Sequence, residues 1–412
     1  MATPTSERAS FNYYRVLRSI WQRHGISRAD LATAYGLDKT TVSQIVGDLV
    51  DQGLVRVAEI DSSNAGPGRK AELLTVNERW GMVAGIEVRA DGINACATDL
   101  AGNVLATHHH YQVVERANLH ASFERTLEGL LADDRVADRP LIGVGVGVTG
   151  VVAKKERLIM RSLPLNIADP YDFGHQIARK LRVPVILDND ANCCAWGELV
   201  YDAGRAPGHF LFVLLEFRSG HEKAFYGGDI GMGLGFVIDG SVYYGEDGSA
   251  GEFRSLYWHP GFRNQFAVPD SEASAILERP DVLVRLVDEI AKHVALFVNT
   301  LNLKRVYIGG DVATIKDLLI GTIETAIANN WPYSEPVDCG VELATHAQDI
   351  VAVGAAAMVL EHVFEEPALS VGLRERNTLW QEIMEHRLTV RTSSRGQNTV
   401  VSPMGGRNNE LR

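Results

Sequence analysis

The stretch Ser27-Arg-Ala-Asp-Leu-Ala-Thr-Ala-Tyr-Gly-Leu-Asp-Lys-Thr-Thr-Val-Ser-Gln-Ile-Val46 encodes two short helices and the turn between them. Ser27 with Asp30 three residues on reads as a capping box that opens the first helix. Tyr35-Gly36-Leu37 is a glycine turn, and Asp38 stands where a cap of the next helix belongs. Along that helix Val42, Ile45, Val46 and Leu49 share one face, which packs with Leu31, Ala32 and Leu37. Lys39, Thr40, Ser43 and Gln44 are left on the outside of its first turns. A helix-turn-helix presents such residues to base edges in the major groove. Gln pairs bidentately with adenine, and Thr or Ser bonds bases or phosphates. The same pattern also fits a small helical protein-interaction module with a solvated polar face.

Upstream, Val16, Leu17, Ile20 and Trp21 recur at helical spacing and predict a helix over Phe11–His24. Downstream, Gly53 ends the second helix of the pair, and two short strands follow over Leu54–Ile60 and Ala71–Val76. The loop between them closes on Gly66-Pro-Gly-Arg69-Lys70, a glycine-rich wing with two cations at its base. Small residues let the backbone approach DNA closely, and Arg favours a narrow minor groove. An ordinary basic hairpin is the alternative. The candidate contacts to double-stranded operator DNA are therefore Arg28, Lys39, Thr40, Thr41, Ser43, Gln44, Arg69 and Lys70.

Charge is distributed to suit this. The chain carries a net −12, but residues 1–80 hold ten Lys/Arg and nine Asp/Glu, a net +1, leaving −13 for the rest. An acidic body is repelled by DNA, so only the N-terminal head is fit to bind it. A chain of 412 residues with 46% hydrophobic residues has room for two or three domains with substantial cores. The start of the chain has no apolar signal core and no apolar run is long enough to span a bilayer, so no membrane partner is expected. Cys96, Cys193, Cys194 and Cys339 lack paired metal spacing, which fits a reduced, cytoplasmic protein.

From Gly81 the pattern turns to strands alternating with helices, an α/β architecture in two lobes. Strands are expected over Met82–Val88, Asn94–Asp99, Leu141–Val148, Val183–Leu187, Phe210–Leu215, Gly233–Asp239 and Arg305–Ile308, with a helix near Phe173–Leu181. The expected domains are residues 1–78, a winged helix-turn-helix; residues 79–368, two lobes with a hinge near 190–200; and residues 369–412, a C-terminal extension whose tail from Thr392 has a disordered composition.

Five segments carry a family resemblance. They are Gly85-Ile-Glu-Val-Arg-Ala-Asp-Gly-Ile-Asn-Ala95 with Asp99–Leu105 after it; Ile142-Gly-Val-Gly-Val-Gly-Val-Thr-Gly-Val-Val152; Leu187-Asp-Asn-Asp-Ala-Asn-Cys-Cys-Ala-Trp-Gly-Glu198; Gly231–Gly240 running on to Gly245–Glu252; and Ile308-Gly-Gly310 with Ala352–Ala357. In this order, over roughly Asn12 to Val363, the chain resembles the repressor branch of the ROK family (repressors, open reading frames and kinases). The resemblance implies a sugar-kinase, actin-like (ribonuclease H-like) domain behind the winged head. It also implies a homodimer or dimer of dimers that answers to a small sugar effector and represses carbohydrate-utilisation genes.

The kinase parts of that resemblance are broken. Kinases of the family keep a Gly-Gly-Thr phosphate loop where this chain has Arg89-Ala90-Asp91, and a Gly-Thr-Gly turn where it has Gly227-Gly228-Asp229. Backbone N–H groups must close on nucleotide phosphates there, so bulk and negative charge are both adverse. We expect no catalytic residues, no cofactor and no enzyme activity. Ser255 replaces the family's zinc-ligating His, and Arg254–Ala275 has no cysteine, so no metal is expected. The resemblance places Asn189, Asp190 and Glu252 at the sugar. Asp190 reads equally as a buried carboxylate capping a helix, Glu252 as an acid in a helix's first turn, and the glycines of Gly143–Gly150 as close strand packing. Two other functions stay open: a regulator whose kinase-like domain binds a protein partner, and an active sugar kinase.

Overall fold

The helix-turn-helix forms as its caps dictate. The structure, a computed structural model, describes residues 4–23, 25–58, 72–201, 206–218, 228–346, 349–365 and Ile383, with side chains from residue 11 onward. The head holds α1 (Pro4–Arg23), β1 (Ile26–Ser27), α2 (Arg28–Tyr35), α3 (Lys39–Asp51), β2 (Val55–Ala58) and β3 (Leu73–Val76). Ser27 and Asp30 make the reciprocal capping box of α2, and Gly36 ends it in the left-handed region at φ 60°. Asp38 caps α3 through the Thr41 N–H at 2.8 Å. The strands pair antiparallel in the order β1-β3-β2. Helix α1 begins seven residues before the Phe11 expected from apolar spacing, because Pro4–Ser10 holds no large apolar residue for the spacing to detect. Residues 59–71, including the wing tip, Arg69 and Lys70, lie outside the described residues, as do Gly227, residue 369 and all after it except Ile383.

The rest of the described chain builds two five-stranded sheets of one topology and a separate two-stranded one. The first comes from β4 (Met82–Val88), β5 (Gly92–Asp99), β6 (Val104–Tyr111), α4 (Leu119–Leu131), β7 (Leu141–Val148), β8 (Val151–Ala153), β9 (Leu158–Arg161), α5 (Phe173–Leu181) and β10 (Val185–Asn189). Its order is β6-β5-β4-β7-β10, and β8 and β9 pair apart as the two-stranded sheet. Helix α6 (Asp190–Tyr201) leads to β11 (Phe210–Phe217), β12 (Ile230–Ile238), β13 (Ser241–Val242), α7 (Asp270–Ala273), α8 (Pro280–Leu301), β14 (Arg305–Gly310), α9 (Lys316–Asn329), β15 (Gly340–Leu343) and α10 (Ile350–Val363). The second sheet runs β13-β12-β11-β14-β15. In each, three antiparallel strands are continued by two parallel ones. This repetition is the two-lobed, actin-like plan. The strand expected over Val183–Leu187 is shifted to Val185–Asn189, since Pro184 has no N–H and joins β7 only through its carbonyl, which accepts from Val144 N at 2.9 Å.

Helix α10 ties the assembly together. It is apolar on every side and buried along nearly its whole length, as a helix inside a core must be. Glycines on its neighbours admit its backbone. A Cβ at Gly85 would lie 1.9 Å from Ala352 O, one at Gly145 2.0 Å from Ala355 O, and one at Gly354 1.9 Å from Cys193 O of α6. The glycines of β7 thus pack closely against α10, as one reading of the sequence has it. The far end of α10 meets the head: the Trp21 ring stacks on Phe364 with centroids 4.7 Å apart. Trp21 Nε1 donates to Leu100 O at 3.0 Å, and the Arg18 guanidinium joins Glu361 and Phe364 O. One continuous apolar core runs from Val16 and Leu49 in the head to Val359 in α10 and Phe364 just after it.

Candidate functional site

The outward face of α3 is open. Lys39, Thr40, Ser43 and Gln44 are exposed, while Val42, Ile45, Val46 and Leu49 are buried beneath them. Thr41 is half-buried, and its hydroxyl donates to Asp38 Oδ2 at 2.7 Å, so it completes the cap that orients the helix. Arg28 pairs with Glu72 at 2.6 Å and ties the start of α2 to the foot of the wing. Four of the eight candidate DNA contacts therefore share one exposed face, two brace it, and Arg69 and Lys70 lie outside the described residues.

Between the lobes lies a cavity of about 330 Å³ that brings Asn189, Asp190 and Glu252 together. Asn189 Oδ1 accepts from the N–H groups of Ala191 at 2.9 Å and Asn192 at 3.3 Å, and Asp190 Oδ1 shares the Ala191 N–H at 2.8 Å. The buried Asp190 carboxyl, at the first residue of α6, lines the cavity beside Gly233. Burial, then the charge of Glu216, raises the Asp190 pKa well above the usual carboxylate range. Glu252 stands in a loop at the cavity mouth, so its alternative as a helix's first-turn acid does not hold. Partial burial raises its pKa too. A protonated carboxyl can both donate to and accept from vicinal hydroxyls, and a carboxylate accepts from them.

The loop where the family's zinc segment belongs is held by amides. Gln265 bonds Met232 N and O and Phe253 O at 2.6–3.0 Å, and Asn264 Nδ2 donates to Val268 O at 2.8 Å. Ser255 is buried, and its hydroxyl accepts from Tyr257 N at 3.0 Å.

Arg89, at the position of the kinase phosphate loop, closes the floor of the cleft. Its guanidinium donates to Asp91 at 2.9 Å and, from the other lobe, to Asp311 at 2.9 Å, and it lies 3.7 Å from Glu216. Asp311 in turn accepts from Phe217 N at 3.0 Å. Sequence spacing holds no sign of this clamp, because Arg89 and Asp311 are 222 residues apart. Glu216, Arg218 and Asp188 were also not anticipated. Arg218 is buried against Glu216, and Asp188 accepts from the Tyr244 hydroxyl at 2.7 Å.

Beneath the clamp, Glu87 accepts from Asn94 Nδ2 at 2.7 Å. Burial lifts its pKa to about 7, with Arg89 opposing and Glu216 reinforcing the shift. A folded-state value above the ordinary 4.5 means that this group's contribution to stability is complete below about pH 4.5 and is lost as pH rises through about 7. Glu87→Gln keeps an acceptor for Asn94 and should be more stable than the parent by about 3 kcal/mol at pH 8, at 1.36 kcal/mol per pKa unit. Urea unfolding from pH 5 to 8 checks this; the idea fails if the difference does not grow with pH.

Comparison with known proteins agrees with this geometry. Residues 83–257 match the ROK family model and residues 10–63 the MarR family model. The chain carries a ROK family domain behind a MarR-type winged helix. The chain is 29% identical to a xylose repressor of Bacillus spizizenii over 249 residues, which is 58% of this chain and 59% of the relative. It is 28% identical to the xylose repressor of Bacillus subtilis over the same shares. It thus spans about three fifths of the length of these relatives. A crystal structure of a ROK family transcriptional regulator, homologous to the Escherichia coli Mlc protein, superposes with a TM-score of 0.68 at 18% identity, covering 92% of this chain and 99% of that one. A ROK glucokinase from Streptomyces griseus, solved with glucose and AMPPNP, superposes at 0.53 over 68% of this chain and 99% of its own. At these identities the superpositions show the fold. Among the described residues no helix is long and apolar enough to cross a membrane.

Proposed function

We propose that this ROK protein is a sugar-responsive DNA-binding repressor without phosphotransferase activity. The observation that carries the reading is the unbroken packing from cavity to head. Asp190 opens α6; α6 lies against α10 with a glycine at the crossing; and α10 is welded to α1 through Trp21, Arg18 and Phe364. A carbohydrate seated on Asn189, Asp190 and Glu252 changes the setting of α6, and α10 transmits the change to the angle of the head. Two heads in a dimer must meet half-sites about one helical turn apart or a multiple of it, so a small rotation abolishes simultaneous docking. The xylose repressors among the relatives favour the carbohydrate class of effector.

The Arg89 clamp supports the loss of kinase chemistry. A triphosphate at this floor meets Asp91, Asp311 and Glu216 instead of free N–H groups, and Arg89 is already engaged with them. Operator DNA is read by Gln44, Ser43 and Thr40, with Lys39 near the backbone.

The decisive variant is Asp190→Ala. It should abolish the carbohydrate-induced change in operator affinity while leaving operator affinity without carbohydrate within about twofold. Fluorescence anisotropy on an operator fragment, with and without a sugar panel, reads both quantities. An unchanged carbohydrate response would remove Asp190 from the effector site. Sugar-dependent ATP turnover by the parent chain, lost in Asp190→Ala, would restore the kinase reading.

A further inference from the structure

The cavity's charges do not match a neutral sugar. Four arginines line it, Arg161, Arg218, Arg254 and Arg263, against three acids, Asp190, Glu216 and Glu252. Arg218 is matched by Glu216 and Arg263 by Asp270. Asp190 is buried and accepts from Ala191 N, and neither it nor Glu252 forms an ion pair among the described residues. Arg161, at the end of β9, and Arg254, two residues past Glu252, meet no carboxylate among the described residues. Arg254 is instead stacked on the Trp258 ring at 4.2 Å, which holds its guanidinium in place at the cavity wall. Arg218 is buried at 4% exposure, and its Nε has no hydrogen-bond partner among the described residues. The cavity therefore combines a polyol-binding corner at Asn189, Asp190 and Glu252 with a surplus of guanidinium groups that a neutral sugar leaves unused.

We propose that the ligand of this cavity is an anionic monosaccharide, a sugar that carries a carboxylate or a phosphate group. Guanidinium forks suit both groups, because each presents two oxygens at the spacing of two N–H donors. The inference rests on the reading of this cavity as a carbohydrate site and specifies the class of carbohydrate. The carboxylate and the phosphate share the recognition chemistry, and the experiment separates them.

Calorimetric titration of the full chain at low salt compares matched sets: glucose with glucuronate, gluconate and glucose 6-phosphate, and xylose with xylonate. Inorganic phosphate serves as the ion-only arm. At least one charged member should bind about tenfold or more tightly than its neutral parent, since hydrogen bonds to charged groups are the stronger kind. That advantage should shrink with added salt, and Arg161→Gln or Arg254→Gln should reduce it severalfold while binding of the neutral parent stays the same. Both side chains are exposed, so folding is not at issue, and thermal unfolding of each variant verifies it. Whether the uronate and aldonate arm or the phosphate arm wins identifies the anionic group. A neutral sugar that binds as tightly as its charged partners overturns this inference and leaves the carbohydrate reading standing. Tight binding of inorganic phosphate with no gain from the sugar marks the surplus as an ion site and overturns it too. No binding by any member of the panel counts against both.

Discussion

Replacing Gly354 with alanine should cost about 3 kcal/mol or more, at the upper end of what overpacking does. The added Cβ would lie 1.9 Å from Cys193 O, 2.5 Å from Cys193 C and 3.1 Å from Cys194 N. These are backbone atoms of α6, so no side chain can swing aside. The two helices must separate, and α10 cannot retreat, because Ala352 O and Ala355 O already sit at the glycines of β4 and β7. For a chain of this size the melting temperature should fall by about 6–12 °C, at roughly 2–4 °C per kcal/mol. Gly321→Ala is the matched control. Gly321 lies in the exposed helix α9 with nothing within 4 Å of the place its Cβ would take, so alanine there should be neutral or stabilising by up to about 1 kcal/mol. Equal melting temperatures for the two variants would show that the α6–α10 crossing is not close-packed.

Arg89→Ala should be the second large effect. The substitution leaves Glu216, Asp91 and Asp311 facing one another without the guanidinium that joins them at the interlobe floor. Stranding a buried charge costs about 3–5 kcal/mol, but the Asp311 side chain is 36% exposed, which lowers the expectation to about 2–3 kcal/mol. The sign of its pH dependence is fixed. Burial pushes the Asp91 pKa up, and the charge and hydrogen bonds of Arg89 more than reverse this, holding it below the ordinary value. Asp91 thus contributes stability above its unfolded-state pKa, and the variant loses that contribution. Glu87, already raised to about 7, loses the cation that opposes the rise. With Arg89 gone, burial is the largest influence left on Asp91 and raises it as it raises Glu87, so both become costlier to ionise and the deficit of Arg89→Ala is smallest near pH 4 and largest near pH 8. Chemical denaturation across that range is the check, and a deficit that is flat or larger in acid would contradict the clamp. Nucleotide binding should not appear in the variant, because Asp91 and Asp311 remain.

These expectations differ in how much of them the sequence carries. The head is legible because its signals are local. Ser27 and Asp30 are three residues apart, Gly36 needs a left-handed backbone, and the stripe of Val42, Ile45, Val46 and Leu49 repeats at helical spacing. Thr41 shows the limit of such local reasoning: exposure by spacing does not reveal that its hydroxyl is engaged by Asp38. In the body, the Asn189-Asp190 pair is recognisable, yet how the two divide the cap of α6 depends on rotamers: both accept from Ala191 N, and Asn189 alone also accepts from Asn192 N. Arg89 reads from sequence only as bulk in a phosphate loop. Its clamp on Asp311 exists because β4 and β14 end at the same floor, a property of the topology. The arginine surplus is equally non-local, since Arg161, Arg218, Arg254 and Arg263 come from four separate segments around one cavity.

The central claim, a DNA-reading head governed by a carbohydrate cavity, is tested most directly by selecting duplex DNA from a random pool with the full chain. The selected site is then titrated at several salt concentrations, with and without carbohydrate. The account predicts a selected site with two related half-sites whose centres lie about one helical turn, or a multiple of it, apart. Binding should be weakened by added salt, changed by a member of the carbohydrate panel, and altered in base preference at one position by Gln44→Ala, at a cost of about 1–3 kcal/mol. Recovery of no preferred sequence, or a preferred sequence that Gln44→Ala binds with unchanged affinity and preference, would contradict it.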